Sequence, residues 1–226
     1  MRRAFLALLA LGLLESGATA EEIGIASVVK PQVSAFPPGE PERALEKRNP
    51  IERGTKVKLK GENAFLKIDF NRAFGNCKPI TLDGRTVSAV VTILGPSDAE
   101  LGDPKDSCEP KVRFSDGKFI LAHRPGEPPI VVDTPEAISR LKGTIVRFLV
   151  RPIVGTFVAV DEGVVSVQAK AGGDPVEVEA GQWIVVPPGG LATHPAPTHS
   201  LDDLNVLGDP PFSLRDFTTQ PPGPPQ

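Results

Sequence analysis

Apolar and polar positions alternate along much of this chain, in short runs cut off by turn residues. In Thr156–Asp161, Val158 and Val160 fall on one face and Phe157, Ala159 and Asp161 on the other; in Val164–Gln168, Val165 and Val167 alternate with Ser166 and Gln168. A period of two is that of an extended strand with one face buried. Similar β-branched runs recur at Ile23–Val29, Gln32–Phe36, Lys56–Lys60, Ala64–Phe70, Thr86–Leu94, Val112–Phe114, Lys118–Ala122, Ile130–Val132, Thr144–Arg151, Val176–Glu179 and Gln182–Val186. So many strands at short spacing predict an all-β fold, a twisted β-sandwich or a solenoid-like sheet. The Asp161-Glu162-Gly163 step predicts a hairpin turn joining its two flanking strands, with glycine in the positive-φ position.

One stretch carries two opposed local signals. In Thr134–Val150, Thr134 is a good N-cap, Pro135 suits a first helical position, Glu136 sits beside the positive helix end, and Gly143 is a stop. The second half, from Thr144, is β-branched and reads as a strand.

The ends differ from the middle. Arg2 and Arg3 precede an apolar run, Ala4–Leu14, and Ala18-Thr19-Ala20 has the small-x-small pattern of a cleavage site, so residues 1–20 read as a signal peptide and the remainder as periplasmic or secreted. The run is short of the roughly 20 residues a bilayer crossing needs, and none longer follows, so no transmembrane anchor is expected after cleavage. Residues 21–190 form the expected β domain. Within it, 71–110 holds both cysteines and one strand-like run, and reads as an excursion from the main sheet. From Gly189 the composition turns to Pro, Thr, His and Gly, so 191–226 reads as a proline-rich tail, extended or disordered, in which Leu201–Leu207 could form one docked turn.

Composition narrows the chemistry. The chain has 25 prolines and 22 glycines, no tyrosine, one tryptophan, and a formal charge of −3. No basic block offers a footprint for nucleic acid or anionic lipid. Cys77 and Cys108 are the only cysteines, and export puts them where thiols oxidise; a disulfide across that loop would contribute about 3–4 kcal/mol, two free thiols being the other reading. No Cys-x-x-Cys, nucleophile elbow, phosphate loop or His-Glu-x-x-His occurs, so no catalytic residue, metal or cofactor is expected. His194 and His199 stand in a proline-broken stretch that reads as solvated loop, as do Asp202 and Asp203. Arg140, Lys142, Arg147 and Arg151 form a cationic run which, with Trp183, supplies the candidate binding residues; a solvated sheet face is the plainer reading of the cations, and a sheet-end aromatic that of Trp183.

The order Thr134-Pro135-x-Ala137, Leu141-Lys142-Gly143-Thr144, Gly155-Thr156-x-Val158-x-Val160-x-Glu162-Gly163-Val164-Val165, Val176-x-Val178, Ala180-Gly181-Gln182 and Pro187-Pro188-Gly189-Gly190 resembles the FecR domain, the extracytoplasmic part of iron-dicitrate-type transmembrane regulators. The match is best over 134–190. Lys142 stands where that family usually has arginine, which keeps the charge and loses the bidentate fork. The resemblance implies an all-β domain that receives a signal by protein contact, with Thr134, Pro135, Gly143, Thr144, Gly155, Thr156, Glu162, Gly163, Gly181 and Gln182 as structural motif residues. It also makes Glu136–Lys142 extended. Proline at about −65° suits a strand start as well as a helix, and a helix this short is marginal by itself. Gly143 then becomes a bend or bulge.

These readings describe an exported, non-enzymatic FecR-like module that binds a protein partner or an envelope component. The alternatives are a structural envelope component tethered by its tail, or a small cupin-like metal enzyme.

Overall fold

The computed structural model describes residues 22–70, 89–102, 111–127 and 129–198. The signal-peptide, disulfide and distal-tail expectations fall outside these residues. The all-β expectation holds. The strands are β1 Glu22–Val29, β2 Val33–Phe36, β3 Arg43–Ala44, β4 Pro50–Glu52, β5 Thr55–Leu59, β6 Phe65–Phe70, β7 Ala89–Leu101, β8 Lys111–His123, β9 Ile130–Asp133, β10 Ala137–Leu141, β11 Ile145–Arg151, β12 Gly155–Glu162, β13 Val164–Ala169, β14 Val176–Glu179, β15 Gln182–Val186 and β16 Ala196–Pro197.

Most long arms of the chain serve two layers, because each bends sharply part-way. In β7, Ala89–Leu94 pairs with β6 while Ser97–Leu101 pairs with β5. Likewise β1 pairs with β6 but β2, next along the chain, pairs with β5. Following the pairings gives one layer ordered β4-β1-β6-β7-β8-β11-β12-β15-β16 and a second ordered β3-β2-β5-β7-β8-β9-β10-β13-β14. All pairs are antiparallel except β9, which joins the start of β8 in parallel. One buried apolar cluster draws on both layers: it holds Val57, Leu59, Val165 and Val167 from the second together with Leu66, Ile68, Val158 and Val160 from the first. Each such side chain contributes about 1.5–3 kcal/mol by leaving water, so the shared interior holds the layers together. Phe114 and Phe119, on either side of the β8 bend, stack at 3.9 Å between ring centroids, and Phe148 meets Phe114 edge-on at 5.6 Å.

The bends fall at opposite ends of the molecule. In the N-terminal half they lie at 30–32, 60–64, 95–97 and Gly117, where backbones approach closely: a Cβ on Gly95 would sit 2.1 Å from the Gly61 carbonyl oxygen, and one on Gly117 2.7 Å from the Ser97 Cα. The register places Leu94 opposite Lys118 and Val150 opposite Gly117 at this end, and Ala89 opposite His123 at the other. In the C-terminal half the bends lie at the His123 end, at Gly143, Gly163 and Gly181, with φ of 64°, 81° and 79°.

Three expectations are corrected. Asp161-Glu162-Gly163 is not a hairpin turn: β12 pairs with β11 and β15, whereas β13 pairs with β10 and β14, so this step is a corner between layers. Stretch 71–110 is not wholly an excursion, since Ala89–Leu101 forms β7, a strand inside the sheet with neighbours on both sides. The tail does not leave the domain at residue 191: Thr193 N–H donates to the Val185 carbonyl at 2.9 Å, and β16 pairs with Gln182 and Trp183. Val112–Phe114 and Lys118–Ala122 are one strand, because Gly117 lets it bend without ending. In Thr134–Val150 the strand reading holds, as β10 and β11 with Gly143 in the bend between them. Sheet partners on both sides of β10 satisfy the backbone groups that a short helix would leave unpaired.

Candidate functional site

The residues singled out by the sequence meet in two places. At the His123 end, a Cβ on Gly163 would lie 2.5 Å from the Gly143 carbonyl oxygen and 2.8 Å from Thr144 Cγ2. Two arms therefore cross at their bends in direct contact, with no room for a Cβ on Gly163, and both positive-φ conformations suit glycine. The third bend is tied in by the Gly181 N–H, which donates to the Val160 carbonyl at 2.8 Å, and Gln182 Oε1 accepts from the Glu179 N–H at 3.0 Å across the same corner. His123, fully buried, braces this line: its Nδ1 accepts from the Gly143 N–H at 2.9 Å, and its own N–H donates to the Thr144 carbonyl at 2.8 Å.

At the opposite end, Thr134 and Thr156 meet although they come from different layers, with 2.9 Å between hydroxyl oxygens. Thr156 Oγ1 is 2.7 Å from Glu136 Oε2, and the Ala137 N–H donates to Thr134 Oγ1 at 3.1 Å. Each hydroxyl has one proton and the carboxylate only accepts. Thr156 therefore donates to Glu136, while Thr134 pairs with both backbone groups of Ala137, accepting from its N–H and donating to its carbonyl at 3.1 Å. All three side chains are buried. Gly155 precedes Thr156 at φ 131°, and a Cβ there would stand 2.4 Å from the Val186 carbonyl oxygen, so the strand start is held against the end of β15.

The two outer faces differ in character. That of the second layer is a ladder of paired charges: Lys58 with Asp98 at 3.7 Å, Arg113 with Glu100 at 3.1 Å, and Asp133 at its centre with Lys170 at 2.6 Å, Lys111 at 3.1 Å and Arg113 at 3.5 Å. A shallow depression of about 380 Å³ opens here beside Phe36, Lys56 and Lys58. Burial pushes the Asp133 carboxyl up, but hydrogen bonds from Lys170 and Lys111 and their charges outweigh this and hold it below the usual aspartate range. A carboxyl depressed in the folded state adds stability above its unfolded pKa, and that contribution disappears as pH falls through the folded value. Asp133→Asn is therefore expected to lower the thermal midpoint at pH 7, and the gap from the unsubstituted protein is expected to shrink as pH is taken below about 4. A gap that stayed constant down to pH 2 would show that the amide disturbs packing rather than charge.

The outer face of the first layer is mostly apolar: Val90, Thr92, Leu94, Ile120, Ala122, Ile145, Leu149, Phe157, Ala159 and Trp183 point to it by alternation. Arg147 and Asp161 are ion-paired in its middle. Trp183 and Phe157 stack at 6.5 Å.

No protein-family model matches this chain, and neither does any curated protein. Among solved structures, that of a candidate anti-sigma factor from Parabacteroides distasonis resembles it with a TM-score of 0.48 at 13% identity, over 63% of this chain and 59% of that one. A second such structure from the same organism gives a TM-score of 0.42 at 18% identity, over 59% and 60%. The chain thus spans about three-fifths of the length of the structures it resembles.

The structure brings Thr134 to Thr156, and Gly143 and Thr144 to Gly163. It does not gather the cations. Arg140 is on the outer face of the second layer opposite Val131 and Ser166, Lys142 is exposed beside the Gly143 bend, and Arg147 and Arg151 are on the outer face of the first layer, Arg151 within 3.4 Å of Asp116. Pro135 is exposed at the β9–β10 turn, and Glu162 stands opposite Ile145 at the corner. His123, Asp133 and Glu136 were not legible as site residues. Their partners lie far away in sequence, and the only local hint is a charged or imidazole side chain at the end of an apolar run. Among the described residues, no group of three or more His, Cys, Asp or Glu side chains could hold a metal ion, and no helix is long and apolar enough to cross a membrane.

Proposed function

We propose that this protein is an exported FecR-like module with a regulatory role, acting by binding a protein of the cell envelope rather than by catalysis. One observation carries the reading: the dispersed motif pieces that resemble the family come together in space, at the Gly143–Gly163–Gly181 line and at the Thr134–Thr156 contact. Short pieces matched by chance would have no reason to converge. Export is supported by the charged, apolar and small-residue order of residues 1–20.

Binding by strand addition fits the architecture. β14 ends the second layer, and its four residues make it longer than β3, β4 or β16 at the other sheet ends. Its outer positions, Glu177 and Glu179, are exposed, and its free edge offers main-chain groups to an extended segment of a partner. A photo-crosslinker at Glu179 in cells is expected to give one saturable adduct with an envelope protein, and Glu177→Pro to abolish it, because the Glu177 N–H faces away from β13 and is the edge donor left open when the Glu179 N–H is taken by Gln182. Diffuse labelling, or an adduct indifferent to the proline, would overturn strand addition.

The disulfide between Cys77 and Cys108 is part of the same proposal. Phe70, Ala89, Gly102 and Lys111, which flank the stretches containing the cysteines, all lie at the His123 end, and a Cβ on Gly102 would come within 3.0 Å of Ile23 across the layers. That common end of the flanks supports the pairing. Protein from the periplasm is expected to show no titratable thiol until it is reduced, then two, with a lower unfolding midpoint; two thiols in native protein would exclude the bridge.

A further inference from the structure

The outer face of the first layer poses a problem that the proposed function does not answer. Ile120, Ala122 and Ile145 are exposed by only 2%, 0% and 0%, and Leu149 and Ala159 by 8% and 0%, as in an interior. Yet they point away from the shared core, in two small clusters of their own, and among the described residues no strand lies over them. The opposite outer face, with its ladder of ion pairs, needs no cover. An apolar sheet face of this breadth does, because open to water it would be an association surface.

We propose that the occupant is this chain's own C-terminal stretch, Leu201–Phe217. Four observations favour it. The described chain ends at Thr198, directly after β16, which pairs with Gln182 and Trp183 at the edge of the first layer. The segment therefore starts beside the face it would cover. From β15 across β12, β11 and β8 to β7 is four strand spacings, about 19 Å, and an extended chain advances about 3.3 Å per residue, so the reach is ample. Leu201, Leu204, Val206, Leu207, Phe212, Leu214 and Phe217 supply apolar side chains in a tail that is otherwise polar and proline-rich. Asp202 and Asp203 suit the cations of this face, Lys67, Lys118 and Arg147, which outnumber its acids Asp69 and Asp161.

Trp183 makes the test direct, since it is the sole tryptophan and stands on this face next to the exit of the chain. In the full-length protein, Leu204→Asp with Leu207→Asp is expected to shift its emission to the red and to raise acrylamide quenching roughly twofold, with the β-sheet circular dichroism unchanged. A synthetic peptide spanning Leu201–Phe217 is expected to restore low quenching when added to that variant. Three results would overturn the assignment. Quenching could be unchanged in the double variant. It could rise instead in Phe74→Asp with Ile80→Asp, pointing to the 71–88 stretch as occupant. Or protection could be lost on dilution of the unsubstituted protein, pointing to a second copy.

Discussion

Gly163→Ala is expected to lower stability by about 3 kcal/mol or more, a large share of the 5–15 kcal/mol typical of a domain. Gly163 has φ 81°, and an L side chain in that region loses about 1–2 kcal/mol. The added Cβ would also come within 2.5 Å of the Gly143 carbonyl oxygen and 2.8 Å of Thr144 Cγ2. The oxygen cannot yield cheaply: Gly143 is itself in a positive-φ bend, with Pro125 Cα 3.1 Å from where its own Cβ would be. Overpacking of this kind adds about 1–3 kcal/mol. Gly181→Ala is the matched control, with φ 79° and nothing within 4 Å of its Cβ, so it should show the conformational loss alone. Gly143→Ala should fall between. Urea midpoints at constant m-value check the order; equal losses at Gly163 and Gly181 would mean that the two arms do not cross in contact.

Thr156→Val should be the second large loss, about 1.5–3 kcal/mol, because it leaves the buried Glu136 carboxylate without its hydroxyl donor while hardly changing volume. Thr156→Ser keeps the donor and should lose far less. Combining Thr156→Val with Glu136→Gln should be less damaging than the sum of the two, since the neutral amide no longer demands that donor. Strict additivity would mean that the hydroxyl and the carboxylate are not coupled. This network links the β9–β10 turn of one layer to the start of β12 in the other, so its loss should also speed hydrogen exchange at both.

Much of this was legible residue by residue. The alternation in Thr156–Asp161 and Val164–Gln168 set Val158 with Val160, and Val165 with Val167, on common faces, and those faces are buried. Positive φ at Gly143 and Gly163 could be expected from their places between strand runs. The hairpin at Asp161-Glu162-Gly163 was misread for a definite reason: a tight hairpin and a sharp corner ask the same local conformation of the same residues, and differ only in what the flanking strands pair with. The cationic run divides between two surfaces, because the bend at Gly143 sends Arg140 and Arg147 to outer faces of different layers. Asp133 could not be foreseen as a hub, since its cations come from β8 and from the chain just after β13.

By itself, the sequence determined which segments are extended, which face of each is apolar, and where the backbone can turn, because side-chain period and positive φ are properties of neighbouring residues. Only the tertiary structure decided that the arms fold over at opposite ends in the two halves, that the Thr156 hydroxyl meets both Thr134 and the Glu136 carboxylate, and that one outer face is charged while the other is apolar. Strand pairing is a contest between distant segments, and its outcome depends on backbones that approach one another only after the layers have closed.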